Sequence, residues 1–409
     1  MTTSNGSRLR VLIAGGGVAG LEALLALRDL VGERVHLALV SPDNEFVYRP
    51  MAVAVPFARG HMQRANLQDI ARSVDAEFIR GELAEVDDDA RSATLVDGRT
   101  LSFDALLVAV GAGSEPALAR VLTWTPELDQ ELFGGILRDL EEGYAKRIAF
   151  VVPPDAAWSL PAYELALMTA WDARDMGQDD VQITVYTPEH GPLAIFGTEA
   201  SAALSRDLEE AGVLVETGAV VAEDPDAPAR LIAQPGDRRL EGQTVIALPR
   251  AKARGVGGVE VDDRGFIRTD AHGQVVGTSS VWAAGDAISF AVKQGGLAAQ
   301  QADAAAEAIA AHAGADVIPQ PFRPVLRGVL LTGRGKQWIR RDIEASDETG
   351  EAERRALWWP PTKVAGRYLA PYLLSLREAG STEDEARPAG QLVEYPLDLA
   401  HRPVEHAPS

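Results

Sequence analysis

The 409-residue chain contains no cysteine. Disulfides, thiolate nucleophiles, thiolate-bound metals and thioether-linked cofactors are excluded together. Histidine is sparse at seven residues. His36, His61, His190, His272 and His312 are scattered without ligand spacing, and His401 and His406 lie in a proline-bearing tail, so no metal site is expected. Aromatic residues make up only 6% of the chain. No apolar run approaches the roughly 18 residues that a membrane-spanning helix needs. Basic residues are also short, 39 Lys and Arg against 60 Asp and Glu, for a formal net charge of −21. Such a chain has little with which to displace counterions from a nucleic acid, and an anionic membrane repels it on average. Any membrane contact is expected to be peripheral. Arg8 and Arg10 precede an apolar stretch, but Glu22, Arg28 and Asp29 interrupt it and no small-residue cleavage pattern follows. The segment reads as a first strand and helix, and a cytoplasmic protein is expected.

What the chain does have is glycine in two telling places. VLIAGGGVAGLE, from Val11, reads as a strand, a turn carrying Gly15, Gly16, Gly17, Val18, Ala19 and Gly20, and a helix start. That turn lets the backbone approach a pyrophosphate, which the helix N-terminus favours through its free N–H groups and partial positive charge. VWAAGDA, from Val281, ends an apolar strand with Gly285 and Asp286, where a carboxylate is able to accept hydrogen bonds from a polyol. A dinucleotide with a sugar-alcohol linker meets both demands, and that molecule is FAD. The acid expected at the end of the second strand is replaced by Ser41, whose hydroxyl still reaches for a ribose. Lys293, Gln294, Gly296 and Leu297 open a long alanine-rich helix, and its N-terminus is suited to the negative charge of a reduced flavin.

The alternation of strand and helix patterns gives an α/β fold with two Rossmann-like dinucleotide-binding domains, the second inserted in the first, plus a smaller C-terminal region. Residues 8–118 form the first half of the FAD-binding domain, residues 119–255 the second nucleotide-binding-like domain, and residues 256–320 the second half of the first. In that last piece GFIRTD and VWAAGDA are both expected to rejoin the first sheet. Residues 321–409 make the C-terminal region with its acidic tail.

The order of GGGVAGLEALLAL, SPDNEFVYRPM, FDALLVAVGAG, VWAAGDA and KQGGLAAQQADAAAEAI resembles the pyridine-nucleotide-disulfide reductase superfamily over about residues 8–330. Within it the chain is most similar to the branch of sulfide:quinone oxidoreductases and type II NADH dehydrogenases. The resemblance implies noncovalent FAD and a quinone or similar acceptor. It also implies that Tyr48, Arg49 and Pro50 lie beside the FAD, with Val110 and Gly111 near its adenosine and pyrophosphate half. The sulfide chemistry of that branch runs through cysteines and does not carry over.

The second domain lacks its own glycine turn. AFVVPPDAAWSLPAYELAL keeps the helix at Glu164, Leu165 and Ala166, but Pro153 and Pro154 replace the glycines, and proline has neither an N–H for a phosphate nor access to positive φ. The following strand ends in Thr187, Pro188 and Glu189, with no acid in the usual ribose position. Three readings follow. The chain is an FAD-dependent oxidoreductase passing two electrons through the flavin without a protein nucleophile; or a NAD(P)H:quinone or ferredoxin-type reductase with an atypical nicotinamide site; or a flavin-binding interaction or redox-sensing protein. The partner is a small redox molecule, and a homodimer through the C-terminal region is compatible with the sequence. Lys293, Tyr48 and Trp359 are the catalytic candidates, with Trp358 to Pro361, Lys363 and Tyr368 as further cover of the flavin. VAGRYLAPYLLSL, from Val364, has apolar residues at near-helical spacing and reads as internal packing or as a membrane-surface segment.

Overall fold

A computed structural model of the chain describes residues 8–126, 130–240, 242–344 and 349–380; the acidic tail beyond Gly380 lies outside them. The described residues up to Pro371 form one compact unit and Tyr372 begins a second, whose described part continues the helix Leu369–Gly380.

The first sheet has five parallel strands in the order Val281–Ala283, Ala105–Val108, Leu9–Ala14, Val35–Ser41 and Ala76–Arg80. Its strands are near-continuous apolar runs because both faces are covered. The helices Val18–Val31 and Gly295–His312 pack together on one face. On the other, Leu83, Val86, Leu95 and Phe103 of an antiparallel hairpin layer meet Leu12, Val40, Leu106 and Val108 of the sheet. The expected strand at GFIRTD is absent from this sheet. Ile267 makes only isolated bridges to Val261 and Ile288, and Asp262 and Asp270, which accept N–H groups of Arg264, Phe266, His272 and Gln274, fold the surrounding chain into side-chain-held turns instead.

The second sheet repeats the plan with Leu122–Thr123, Thr244–Ala247, Arg147–Val151, Gln182–Tyr186 and Val213–Glu216, again all parallel. Its helices are Leu160–Asp175 and Thr198–Glu210. The two chain crossings between the domains pair with each other as an antiparallel ribbon, Ala112–Glu115 against Arg250–Ala253. That pairing is the physical signature of one domain inserted into another: the chain leaves and returns at one edge. A C-terminal sheet of Val325–Leu331, Lys336–Asp342 and Glu351–Glu353 follows, with Leu326, Leu330 and Ile339 in the same core as Leu165 and Leu167. No helix among the described residues is long and apolar enough to cross a membrane.

Candidate functional site

A cleft of about 980 Å³ runs from the carboxyl ends of the first sheet to the start of the second domain's Leu160–Asp175 helix. One end is the glycine turn. Gly15 has φ of +131°, and a Cβ there would lie 2.1 Å from the Ala109 carbonyl oxygen, so only glycine fits between two strand ends. A Cβ on Gly20 would lie 1.8 Å from the Gly15 carbonyl, which seats the helix directly on the turn. Gly17 is different, because a Cβ there meets no protein atom within 4 Å and the residue faces the cleft. The following helix has no side-chain cap and no acid in its first turn. Its leading N–H groups and dipole are therefore left for an anion. Ser41 is buried, borders the cleft and accepts the Asp43 N–H at 3.3 Å; Val18, Ala19, Arg49, Pro50, Val110 and Gly111 line it too.

At the middle of the cleft stands Asp286. Gly285, at φ +77°, turns the chain there, and a Cβ on it would crowd Ala19 at 2.9 Å. The Asp286 carboxylate lines the cleft and has no hydrogen bond or ion pair among the described residues. Burial pushes its pKa up, offset in part by the charges of Lys293 and Arg49. An unpartnered acceptor in a recess is costly unless a ligand supplies donors.

The start of the alanine-rich helix is arranged differently from the sequence expectation. Gln294 spends its side chain as the N-cap, accepting the Leu297 N–H at 2.8 Å and donating to the Arg327 carbonyl at 3.0 Å. Gly296 and Leu297 are withdrawn from the cleft, while Gly295 and Ala298 line it beside Lys293 and Gln294. Lys293 donates to the Ile288 carbonyl at 2.5 Å and sits 3.9 Å over the Phe266 ring. Burial lowers its pKa to about 8, against the pull of Asp286. Tyr48 is buried and directs its hydroxyl to the Val364 N–H at 2.8 Å, so it anchors the C-terminal segment instead of facing the cleft. Trp359 is 70% exposed and lies off the cleft; Trp358 packs edge-on to Trp338 at 4.7 Å.

The far end of the cleft holds a pair that sequence reading did not join. Lys363 donates to both oxygens of Glu164 at 2.6 and 2.8 Å and to the Pro50 carbonyl at 3.2 Å, and Glu164 also accepts the Leu331 N–H at 2.8 Å. Glu164 is 1% exposed. Burial drives its pKa up and that of Lys363 down, and each charge restrains the other's shift. Each residue stood in the sequence as a separate clue, the acid of a helix first turn and a polar residue near a tryptophan pair.

In the second domain, the crevice beyond the carboxyl ends of Arg147–Val151 and Thr244–Ala247 is where an α/β sheet of this order takes a ligand. Here it carries Pro153, Pro154 and Pro249. Asp155 and Arg250 close an ion pair there at 2.7 Å. Glu189, the acid nearest the ribose position, is held by the hydroxyls of Ser159, Tyr163 and Thr187 at 3.2, 2.6 and 3.0 Å. These prolines and internally paired side chains stand where a phosphate turn and a free ribose acid are otherwise found, while Trp158, Leu248, Pro249 and Arg250 still border the open cleft. Among the described residues no group of His, Cys, Asp or Glu is suited to a metal ion.

Residues 162–309 match the family model described as pyridine nucleotide-disulphide oxidoreductase. Over those residues the chain is similar to that superfamily. It is 27% identical over 212 residues to the sulfide-quinone reductase of Aquifex aeolicus (strain VF5), covering 48% of each chain. It is 26% identical over 315 residues to the type II NADH:quinone oxidoreductase NdhA of Mycobacterium tuberculosis (strain ATCC 25618 / H37Rv), covering 69% of this chain and 66% of that one. These matches span from about half to about two thirds of the curated relatives' lengths. Among solved structures, the sulfide:quinone oxidoreductase of Aquifex aeolicus aligns with a TM-score of 0.76 at 17% identity, over 91% of this chain and 90% of that one. The ferredoxin reductase of the CYP199A2 system from Rhodopseudomonas palustris gives 0.60 at 19% identity, over 81% of each chain. Both are flavoenzyme folds with two nucleotide-binding domains.

The cofactor of this superfamily is FAD, and the residues present fit it. Gly17 leaves open space at an uncapped helix start for a pyrophosphate, Asp286 offers an unpartnered acceptor for a polyol, and the cleft continues to the Lys363–Glu164 pair.

Proposed function

We propose that this chain is a cytoplasmic FAD-dependent oxidoreductase in which a small reductant and a quinone-like acceptor use the shared cleft directly, without cysteine chemistry and without a conventional NAD(P)H site. When bound, FAD supplies two-electron transfer through its isoalloxazine ring. The protein residues do the rest. The Gly15 to Gly17 turn and the helix behind it hold the diphosphate, Asp286 and Ser41 take hydroxyl groups, and Lys363 and Glu164 present a buried ammonium and carboxylate able to hold or move a proton at the end of the cleft.

The observation that carries this reading is the contrast between the two domains. One has an open glycine turn with an unpartnered carboxylate facing the cleft; the other has Pro153 and Pro154 in place of that turn and Glu189 tied to three hydroxyl groups. The similarity to a type II NADH:quinone oxidoreductase keeps a second reading in view, NAD(P)H entering by an atypical route.

The test is spectroscopic. The purified protein is expected to be yellow and to release flavin on denaturation. Anaerobic NADH or NADPH leaves the flavin colour unchanged, while dithionite bleaches it and a benzoquinone restores it. Fast bleaching by either nucleotide supports the second reading, and a colourless protein that FAD cannot reconstitute ends both.

A further inference from the structure

A second cavity, of about 620 Å³, shares no lining residue with the cleft described above. It lies between the helix Thr198–Glu210 and the C-terminal strands Lys336–Asp342 and Glu351–Glu353. Elsewhere this helix and sheet close on each other, with Ala200, Leu204 and Leu208 in one core cluster with Ile339. At the cavity the helix presents Ala202 and Ala203 and the sheet presents Ala352, and these small side chains leave the space between the layers unfilled. Protein interiors are otherwise packed at the density of organic crystals, so a polar gap of this size is a binding site in shape.

Gln337 indicates what the cavity takes. The residue is 4% exposed and lines the cavity, yet its carboxamide makes no hydrogen bond among the described residues. Its direction follows from the strand: Ile339, two residues on, packs into the core, and side chains two apart share a face. A buried amide without partners is costly, so its paired donor and acceptor are left for a ligand. Beside it Asp207, 7% exposed, is fixed through Oδ1 by Arg354 at 2.5 Å, while its Oδ2 is buried without a partner. At the mouth, Arg206, Arg355, Glu199 and Glu353 form no ion pair among the described residues. Three arginines therefore balance three acids around this cavity, in a chain whose formal net charge is −21. A polyanion or a bare cation meets no excess of the opposite sign there. A molecule carrying both signs meets free groups of each.

We propose that this cavity binds a free α-amino acid whose side chain ends in an uncharged amide. That amide meets the Gln337 carboxamide edge to edge, each donating one N–H to the carbonyl of the other. The α-carboxylate lies on Arg206 and Arg355, since a guanidinium holds a carboxylate with two parallel N–H bonds. The α-ammonium lies on Glu199 or Glu353 across the mouth. The alanine floor sets no steric bar to the methylene stem, and no aromatic face among the described residues lines the cavity on which a nucleobase would stack. The inference stands apart from the flavin reading, because the two cavities have no residue in common.

Saturation-transfer NMR on the full-length protein, dialysed after purification, reads the binding directly. Transfer to L-glutamine is expected to saturate with concentration. Acetate, methylammonium and ribose, which carry the carboxylate, the ammonium and the hydroxyl groups separately, are expected to show none. Gln337→Met keeps the length of the side chain and removes its hydrogen-bonding edge. It is expected to weaken L-glutamine binding by about tenfold or more while melting no lower than wild type, because the amide has no protein partner to lose. Arg206→Ala, on the exposed side of its helix, keeps the fold and weakens binding by about tenfold through the lost charged bonds. Absence of transfer to L-glutamine, equal transfer to the three partial probes, or an affinity unchanged in both variants overturns the proposal. A Gln337→Met protein that melts well below wild type also overturns it, since the amide then serves the fold and not a ligand.

Discussion

Lys363 of the C-terminal segment and Glu164 of the second domain's first helix form a buried ion pair with Nζ–O distances of 2.6 and 2.8 Å. Three parts of the chain meet at this contact, because the same ammonium also holds the Pro50 carbonyl of the first domain. Removing one partner strands a desolvated charge, so Lys363→Met and Glu164→Leu are each expected to destabilise the protein by about 3–5 kcal/mol. The double variant recovers most of that loss. Urea unfolding followed by tryptophan fluorescence measures all three, and additive losses in the double variant would show that the pair is not coupled.

Gly17 tests the cofactor pocket without testing the fold. Its φ is −86°, open to any residue, and its missing Cβ points at no protein atom. Gly17→Val is therefore expected to fold with the melting temperature of the apoprotein but to retain little flavin, read as absorbance near about 450 nm per chain. Gly15→Ala, in contrast, strikes the Ala109 carbonyl and unfolds or rearranges the turn. Normal flavin content in Gly17→Val would remove the pyrophosphate from this turn.

Asp286→Ala takes away the unpartnered acceptor in the cleft. The loss of a charged hydrogen-bond acceptor costs about 1.5–3 kcal/mol of ligand affinity, roughly tenfold to more than a hundredfold in Kd for FAD. Apoprotein titration with FAD, followed by flavin fluorescence quenching, gives the number. An unchanged Kd would place the linker elsewhere.

Asp88 makes a prediction in the acid range. It accepts four hydrogen bonds, from the N–H and hydroxyl of both Ser279 and Ser280, and so ties the hairpin layer to the chain entering the strand Val281–Ala283. These bonds hold its pKa below the usual 3.8 despite partial burial, which acts the other way. A depressed folded pKa contributes stability above the unfolded value and loses it as pH falls through the folded one. Asp88→Asn is thus expected to be less stable than wild type at neutral pH, by about 1–2 kcal/mol. The gap closes below about pH 3.8. Thermal melts across that range check it, and a gap that persists in acid would point to packing instead of charge.

Much of the first domain was legible because its signals are local. The strand, turn and helix from Leu9 to Val31 follow from an apolar run, three glycines and an amphipathic stretch, all within one short window. GFIRTD misled for the same reason, since alternation suggested a strand while Asp262 and Asp270 were free to bend the backbone back on themselves. Gln294 was read as a ligand contact and does border the cleft, but the N-cap bond from Leu297 that occupies its side-chain oxygen has no signal in one sequence. The Lys363–Glu164 pair and the bonds from the Tyr368 and Leu369 amides to Glu22 join residues that only tertiary packing brings together, and no spacing rule in one sequence finds them. Glu22 in particular looked like an interruption of an apolar run, when it is the acceptor for a distant backbone.

The narrow strand Val281–Ala283 carries a consequence for how the chain comes into being. It pairs with Ala105–Val108, and the whole second domain is threaded between them. The first sheet is thus left with an open edge at Ala105–Val108 until synthesis has passed residue 283, and the segment at 363–369 arrives later still. An unpaired edge of this kind is sticky while it waits. The inserted domain has every strand of its own sheet in hand by Ala247 and is free to fold first. Refolding of the first sheet is therefore expected to be slower and more concentration-sensitive than that of the second, a kinetic cost of assembling one cleft from the two ends of the chain.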